Sequence, residues 1–176
     1  SATWTVTGSG AFVVTHTGGK ARITGATPGR VVDYGLKDSM NMGACMAPAA
    51  CDTICGHLDD FGRQPSDYDA VITGDLGSVG QTILLELAKK RGYDLKDRHL
   101  DCGMLIFDPE EQDTHAGGSG CACSAVTLAA HILPKVERGE WRRVLFVPTG
   151  ALLSTVSYNE GQSVPGIAHA VVIEHC

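Results

Sequence analysis

Between Ser119 and Leu133 the chain places Cys121, Ala122, Cys123, Ala125, Val126, Leu128, Ala129, Ala130 and Ile132 with almost no polar face. A helix that is apolar all round must be covered all round, so this segment predicts a central helix between layers, ended or kinked by Pro134 and Gly139. The run falls short of the ~20 apolar residues that cross a bilayer. The N-terminal Ser1-Ala2-Thr3-Trp4 lacks a charged and then apolar leader pattern, so neither a membrane span nor an export signal is expected. A chain of 176 residues, 43% hydrophobic, can supply the required cover as a soluble globular body.

The remaining segments alternate in type. Trp4 to Val14 is rich in β-branched and aromatic residues and predicts a strand with a glycine-rich entry. Arg22 to Val32 predicts a second, pairing with the first as a hairpin and bent near Pro28-Gly29. From Ala47 to Phe61 apolar residues recur at three- and four-residue spacing, an amphipathic helix with Gly62 as its stop. Tyr68 to Thr73 predicts a short strand, followed by a helix capped by Ser78 and carrying Ile83, Leu84, Leu87 and Ala88. His99 to Phe107 holds another short strand before a polar loop at Asp108 to Asp113. Arg143 to Val147 and Ile167 to Glu174 supply the last two. This order predicts an α/β fold with a largely parallel sheet, whose closing strand is free to run the other way.

Charge and cysteine usage narrow the partners. Acidic residues outnumber basic ones 20 to 14, for a net charge of −6, and no Lys/Arg run resembles a nucleic-acid footprint. The seven cysteines form an odd set without a C-x-x-C pair, which favours reduced thiols in a cytoplasmic setting. The seven histidines show no metal-ligand spacing, so no metal site and no cofactor are expected.

Four places could carry chemistry. Gly117-Gly118-Ser119-Gly120 precedes the central helix, where backbone N–H groups could meet an anion or oxyanion, although small residues there equally permit close backbone packing. Cys121 and Cys123 would occupy the first turn, where a thiol is activated, or serve as small buried apolar residues. Thr73-Gly74-Asp75-Leu76-Gly77 links a strand to a helix, the usual ligand position in open α/β sheets, and Asp75 could bind or merely cap. Gly150, in Thr149-Gly150-Ala151, could offer a backbone N–H or simply turn the chain. Arg30 and Lys37 read as solvated surface charge.

Several of these motifs together resemble the C-terminal half of the thiolase-like superfamily of thiolases and ketoacyl synthases. They are Thr7-Gly8-Ser9-Gly10-Ala11, Met42-Gly43 leading into a helix, Pro65-Ser66-Asp67-Tyr68-Asp69 before a strand, and Gly118-Ser119-Gly120-Cys121-Ala122-Cys123-Ser124-Ala125. The resemblance covers nearly the whole chain. It implies a mixed, mostly parallel five-stranded sheet with a buried central helix. Residues 1–16 would be the last strand of a preceding N-terminal half, and residues 17–176 the C-terminal half-domain. Thr73-Gly74-Asp75-Leu76, Ala116 to Ala125, and Thr149-Gly150-Ala151-Leu152-Leu153-Ser154 resemble more closely a branch of that superfamily from spore-forming bacteria.

In condensing enzymes a histidine would stand at Gly74 and an asparagine at Ser119, and the nucleophilic cysteine belongs to the other half. The resemblance therefore implies no catalytic residue in this chain. It implies a pocket turned to binding dipicolinic acid or its calcium chelate, bordered by Gly74, Asp75, Ser119, Cys121 and Gly150. The implied partners are spore membrane proteins, the N-terminal half and a second full-length copy, with peripheral association at the inner spore membrane and a role in spore formation and germination. The competing reading is an acyl-transfer fragment acting on a CoA thioester, and a third is an architectural module that docks membrane partners.

Overall fold

The computed structural model describes residues 2–176; Ser1, the first residue of the expected 1–16 segment, lies outside the described residues. In chain order the elements are β1 (Trp4–Thr5), β2 (Ala21–Thr27), α1 (Met42–Phe61), β3 (Ala70–Thr73), α2 (Gly77–Lys90), β4 (His99–Asp101), α3 (Cys102–Leu105) and α4 (Pro109–Gln112). They continue with β5 (Gly118–Ser119), α5 (Cys123–Thr127), α6 (Leu133–Glu137), β6 (Arg143–Val147), β7 (Thr149–Ala151), α7 (Thr155–Asn159), β8 (Gly166–Ala168) and β9 (Ala170–His175).

The main sheet has five strands in the order β2-β9-β6-β3-β4. β6, β3 and β4 are mutually parallel, and β9 is antiparallel to both its neighbours. Four strands therefore share one direction and β9 alone is reversed, the mixed, mostly parallel α/β sheet that the sequence implies.

Side chains on successive strand residues point to opposite faces, and the core divides accordingly. Val71, Leu145, Val147 and Val172 face Ile54, Leu58 and Leu84 of α1 and α2. Ala70, Ile72, Val144 and Phe146 face Cys123, Ile132 and Val136 of the helix opposite. Each fully buried large aliphatic contributes about 1.5–3 kcal/mol. The helices α1 and α2 pack tightly, because Gly43 and Gly80 meet at their crossing: a Cβ at Gly80 would stand 2.9 Å from Gly43 Cα.

Several local expectations are corrected. The first two strands form no hairpin: β1 is two residues long and pairs in parallel with β5, whereas β2 pairs with β9. Residues 6–14 form no strand; they pass along α5, with Gly8 and Gly10 against Val126 and Ala125. β2 ends before Pro28, and its irregularity lies between Ile23 and Gly25. Helix α1 begins at Met42, five residues before the apolar period becomes regular, capped by the Asn41 side chain and continuing through Pro48. Ser78 does not cap α2; the Asp101 carboxylate does, accepting from Leu76 N and Gly77 N at 2.9 and 3.0 Å. The segment after Asp101 turns helical as α3, and the polar stretch beyond it contains α4.

The central helix is also less covered than its composition demands. It runs from Cys123 to Glu137 through a π-helical turn at Leu128–Ile132, which precedes Pro134 and its missing N–H. Cys123, Thr127, Ile132 and Val136 are buried, yet Ala130 and His131 are exposed. Exposed apolar side chains include Phe12, Val13 and Val14 of the neighbouring segment.

Candidate functional site

β3 and β6 lie side by side and end together, at Thr73 and Val147. The segments leaving their carboxyl ends, Gly74-Asp75 and Pro148-Thr149, meet β5 above them. Asp75 is the hub. Its Oδ2 accepts from Ser119 Oγ at 2.7 Å and from Gly120 N at 3.0 Å, and its Oδ1 accepts from Thr149 Oγ1 at 3.0 Å. Thr149 Oγ1 in turn accepts from Asp75 N at 3.1 Å. One carboxylate thus ties the β3, β5 and β6 ends together through charge-assisted bonds.

A cavity of about 180 Å³ opens beside this knot, lined by Asp75, Ser119, Gly120, Thr5, Met42 and Gly43 among others. No residue in its described lining is Lys, Arg or His.

Beneath Asp75 lies a second set of polar groups, of which Thr73, His99 and Asp101 are buried. Thr73 Oγ1 donates to Asp101 Oδ1 at 2.6 Å, so His99 Nε2, 2.9 Å away, must donate to that hydroxyl. His99 Nδ1 is then the acceptor for Gln81 Nε2 at 3.0 Å. Burial pushes the His99 imidazole down to about 4, consistent with the neutral tautomer these bonds require. Burial raises the Asp101 carboxyl, while Thr73, Gly77 and Leu76 donate to it and pull the other way. The Gln81-His99-Thr73-Asp101 chain fixes the 74–77 turn from below.

Of the five expected site residues, Asp75 and Ser119 stand together on the cavity wall. Gly74 lies just behind, its carbonyl accepting from the Cys123 thiol at 3.6 Å. Cys121 is exposed and Gly150 sits in β7 opposite Ile167; neither lines the cavity. The Gly120 N–H is engaged by Asp75, so it is not a free donor. Cys123 takes the second of its two readings, a small buried residue: burial, then the charges of Asp75 and Asp101, push its thiol up to about 12. Desolvation outweighs whatever the helix terminus supplies. From sequence, Thr73 and Thr149 stand inside candidate motifs without a role of their own, and His99 and Asp101 were not connected with them. A signal existed in the repeated Thr-Gly at both strand ends and in the polar His99 and Asp101 flanking Leu100.

Gly74 has no room for a side chain. A Cβ there would lie 2.7 Å from Thr149 N and 3.2 Å from Pro148 Cα. Introducing a histidine by Gly74→His should therefore damage the fold. Gly74→Ala is expected to cost about 1–3 kcal/mol by overpacking, read from urea unfolding; a neutral effect would mean that the β3 and β6 ends can part.

A family model described as "Stage V sporulation protein AD (SpoVAD)" matches residues 1–174. The chain belongs to the stage V sporulation protein AD family. It is 49% identical over 174 residues to stage V sporulation protein AD of Bacillus subtilis (strain 168), covering 99% of this chain and 51% of that protein. The chain thus spans about half the length of the curated relative it matches. Among solved structures it is similar to 3-oxoacyl-[acyl-carrier-protein] synthase III from Aquifex aeolicus VF5, with a TM-score of 0.45 and 12% identity, over 92% of this chain and 47% of that one. Among the described residues no helix is long and apolar enough to cross a membrane.

Proposed function

We propose that this chain contributes one wall of a non-catalytic binding site for dipicolinic acid, taken up as its calcium chelate. The observation that carries the reading is the Asp75 carboxylate, oriented by Ser119, Gly120 and Thr149 at the edge of a small cavity without a cationic side chain. A free dicarboxylate would meet a like charge there with nothing to neutralise it. A calcium chelate presents a hard cation, which carboxylate and hydroxyl oxygens coordinate. The cavity is smaller than the ~300–1,000 Å³ of sites that enclose drug-sized ligands, which suits one compact aromatic acid. The N-terminal half, with residues 1–16 as the segment leading out of it, would close the pocket. In this reading the protein acts with other SpoVA membrane proteins at the inner spore membrane, as a full-length homodimer, in spore formation and germination.

Calorimetry on the protein at its full natural length tests this. Calcium dipicolinate should bind saturably, calcium-free dipicolinate more weakly, and Asp75→Asn should weaken chelate binding about tenfold, roughly the worth of one charged contact. Absence of saturable binding would overturn the proposal. Formation of a covalent adduct with labelled acyl-CoA would replace it with the acyl-transfer reading. Retention of SpoVA partners by a variant that binds no ligand would favour the architectural one.

A further inference from the structure

Two of the seven cysteines lie apart from the cavity and its supports. Cys51 and Cys55 stand on successive turns of α1, buried, with their sulfurs 3.8 Å apart in a hydrogen bond. Residues four apart on a helix hold their Cβ atoms about 5–6 Å apart, whereas a disulfide needs about 3.5–4.5 Å. Forming that bond would contract a turn of a helix packed against α2 and β8. The pair is thus ill suited to a disulfide and well suited to sharing one thiophilic atom.

The Arg91 guanidinium lies within interaction range of the Cys51 sulfur. It also contacts Asp52 Oδ1 at 3.4 Å, while Asp52 is held more closely by Arg30 at 2.8 Å. Arg91 is thus shared between Asp52 and the sulfur pair, and the Asp59 carboxylate also lies within interaction range of Cys55. Among the described residues no three His, Cys, Asp or Glu side chains form a metal-holding group, so the four-ligand set of structural zinc is lacking. Two thiolates alone select soft ions.

We propose that Cys51 and Cys55 form a two-sulfur site for a soft monovalent cation of the Cu(I) class. Each thiol loses its proton to solvent, two sulfur–metal bonds form, and no electrons are exchanged. Two thiolates, one monovalent cation and Arg91 sum to zero charge. With bonds near the ~2.3 Å of metal thiolates, a linear arrangement places the sulfurs about 4.6 Å apart, so the observed 3.8 Å must open modestly.

The test uses the full-length protein carrying Cys121→Ser and Cys176→Ser, which removes the two exposed thiols. Cu(I) is supplied on a coloured bidentate chelator, and its withdrawal is followed by absorbance. One equivalent per chain should be withdrawn, and Cys51→Ala or Cys55→Ala should abolish it. Arg91→Met should weaken it about tenfold. X-ray absorption of the copper-loaded protein, which needs no change at either cysteine of the site, should show two sulfur neighbours. No withdrawal, undiminished withdrawal in both alanine variants, or nitrogen and oxygen neighbours in the spectrum would each overturn the proposal.

Discussion

Asp101→Ala should lower the unfolding free energy by about 3–5 kcal/mol, because it removes at once the close acceptor of three buried donors. Those donors are the Thr73 hydroxyl and the N–H groups of Leu76 and Gly77. The first belongs to the strand that ends at the candidate site, and the other two open α2. Loss of the carboxylate should therefore loosen the 74–77 turn as well as the core. Asp101→Asn keeps one acceptor oxygen but turns an amide NH₂ toward a donor, so an intermediate loss is expected. Urea unfolding of the three proteins separates the cases. A loss below about 1 kcal/mol for Asp101→Ala would mean that the turn is held by something else.

Mild acid is expected to destabilise the protein, and the sign follows from two buried imidazoles. Burial, assisted for His57 by the Arg63 charge, pushes both His57 and His99 down to about 4 from an ordinary 6.5. Between those values the unfolded chain binds protons that the folded one refuses, so stability rises with pH across the window. The contribution is complete above the unfolded value and is lost as pH falls through the folded one. For His99, which is almost wholly buried, the full gap corresponds to about 3 kcal/mol. Asp101 acts in the opposite sense: its carboxyl is raised, so the folded state gains protons first and recovers part of the loss at the acid end. Urea midpoints should fall steadily from about pH 7 to about pH 5, where His99 alone accounts for roughly 2 kcal/mol. His99→Gln should flatten that slope; an unchanged slope would remove His99 from the account.

His57 shows how a residue lost among helix positions becomes an organiser. Its Nδ1 lies 2.7 Å from Thr27 Oγ1 and its Nε2 2.6 Å from Tyr68 OH, which also accepts from Arg63 at 3.1 Å. The apolar period of α1 was legible because Ile54, Cys55 and Leu58 repeat at helical spacing. His57 falls between them as an apparent surface residue, and nothing local reveals that β2 and Tyr68 close over it. The first turn of α1 was illegible for another reason, since Gly43 and Pro48 disguise a helix that its packing on α2 and the Asn41 cap hold in place.

The candidate site was legible in part for the same kind of reason. Gly74-Asp75 and Ser119-Gly120 announced themselves by lying at junctions of strand and helix. Thr-Gly recurs at both strand ends, but that Thr149 meets Asp75 follows from β6 lying beside β3, a fact of topology. Cys121 and Cys123 looked alike in sequence, yet one is exposed and the other sealed under Gly74. The N-terminal segment looked like a long strand because its composition is β-rich, but only Trp4 and Thr5 find a partner ladder.

The two outer strands of the main sheet determine how complexes can grow. β4 offers three residues, too few to template a stable addition, and β2 breaks its own register between Ile23 and Gly25 with Arg22 beside the break. Short length, irregularity and charge are the devices by which sheets refuse edge-to-edge joining. Within this chain both margins of the sheet therefore carry features that disfavour edge-to-edge addition of a further strand.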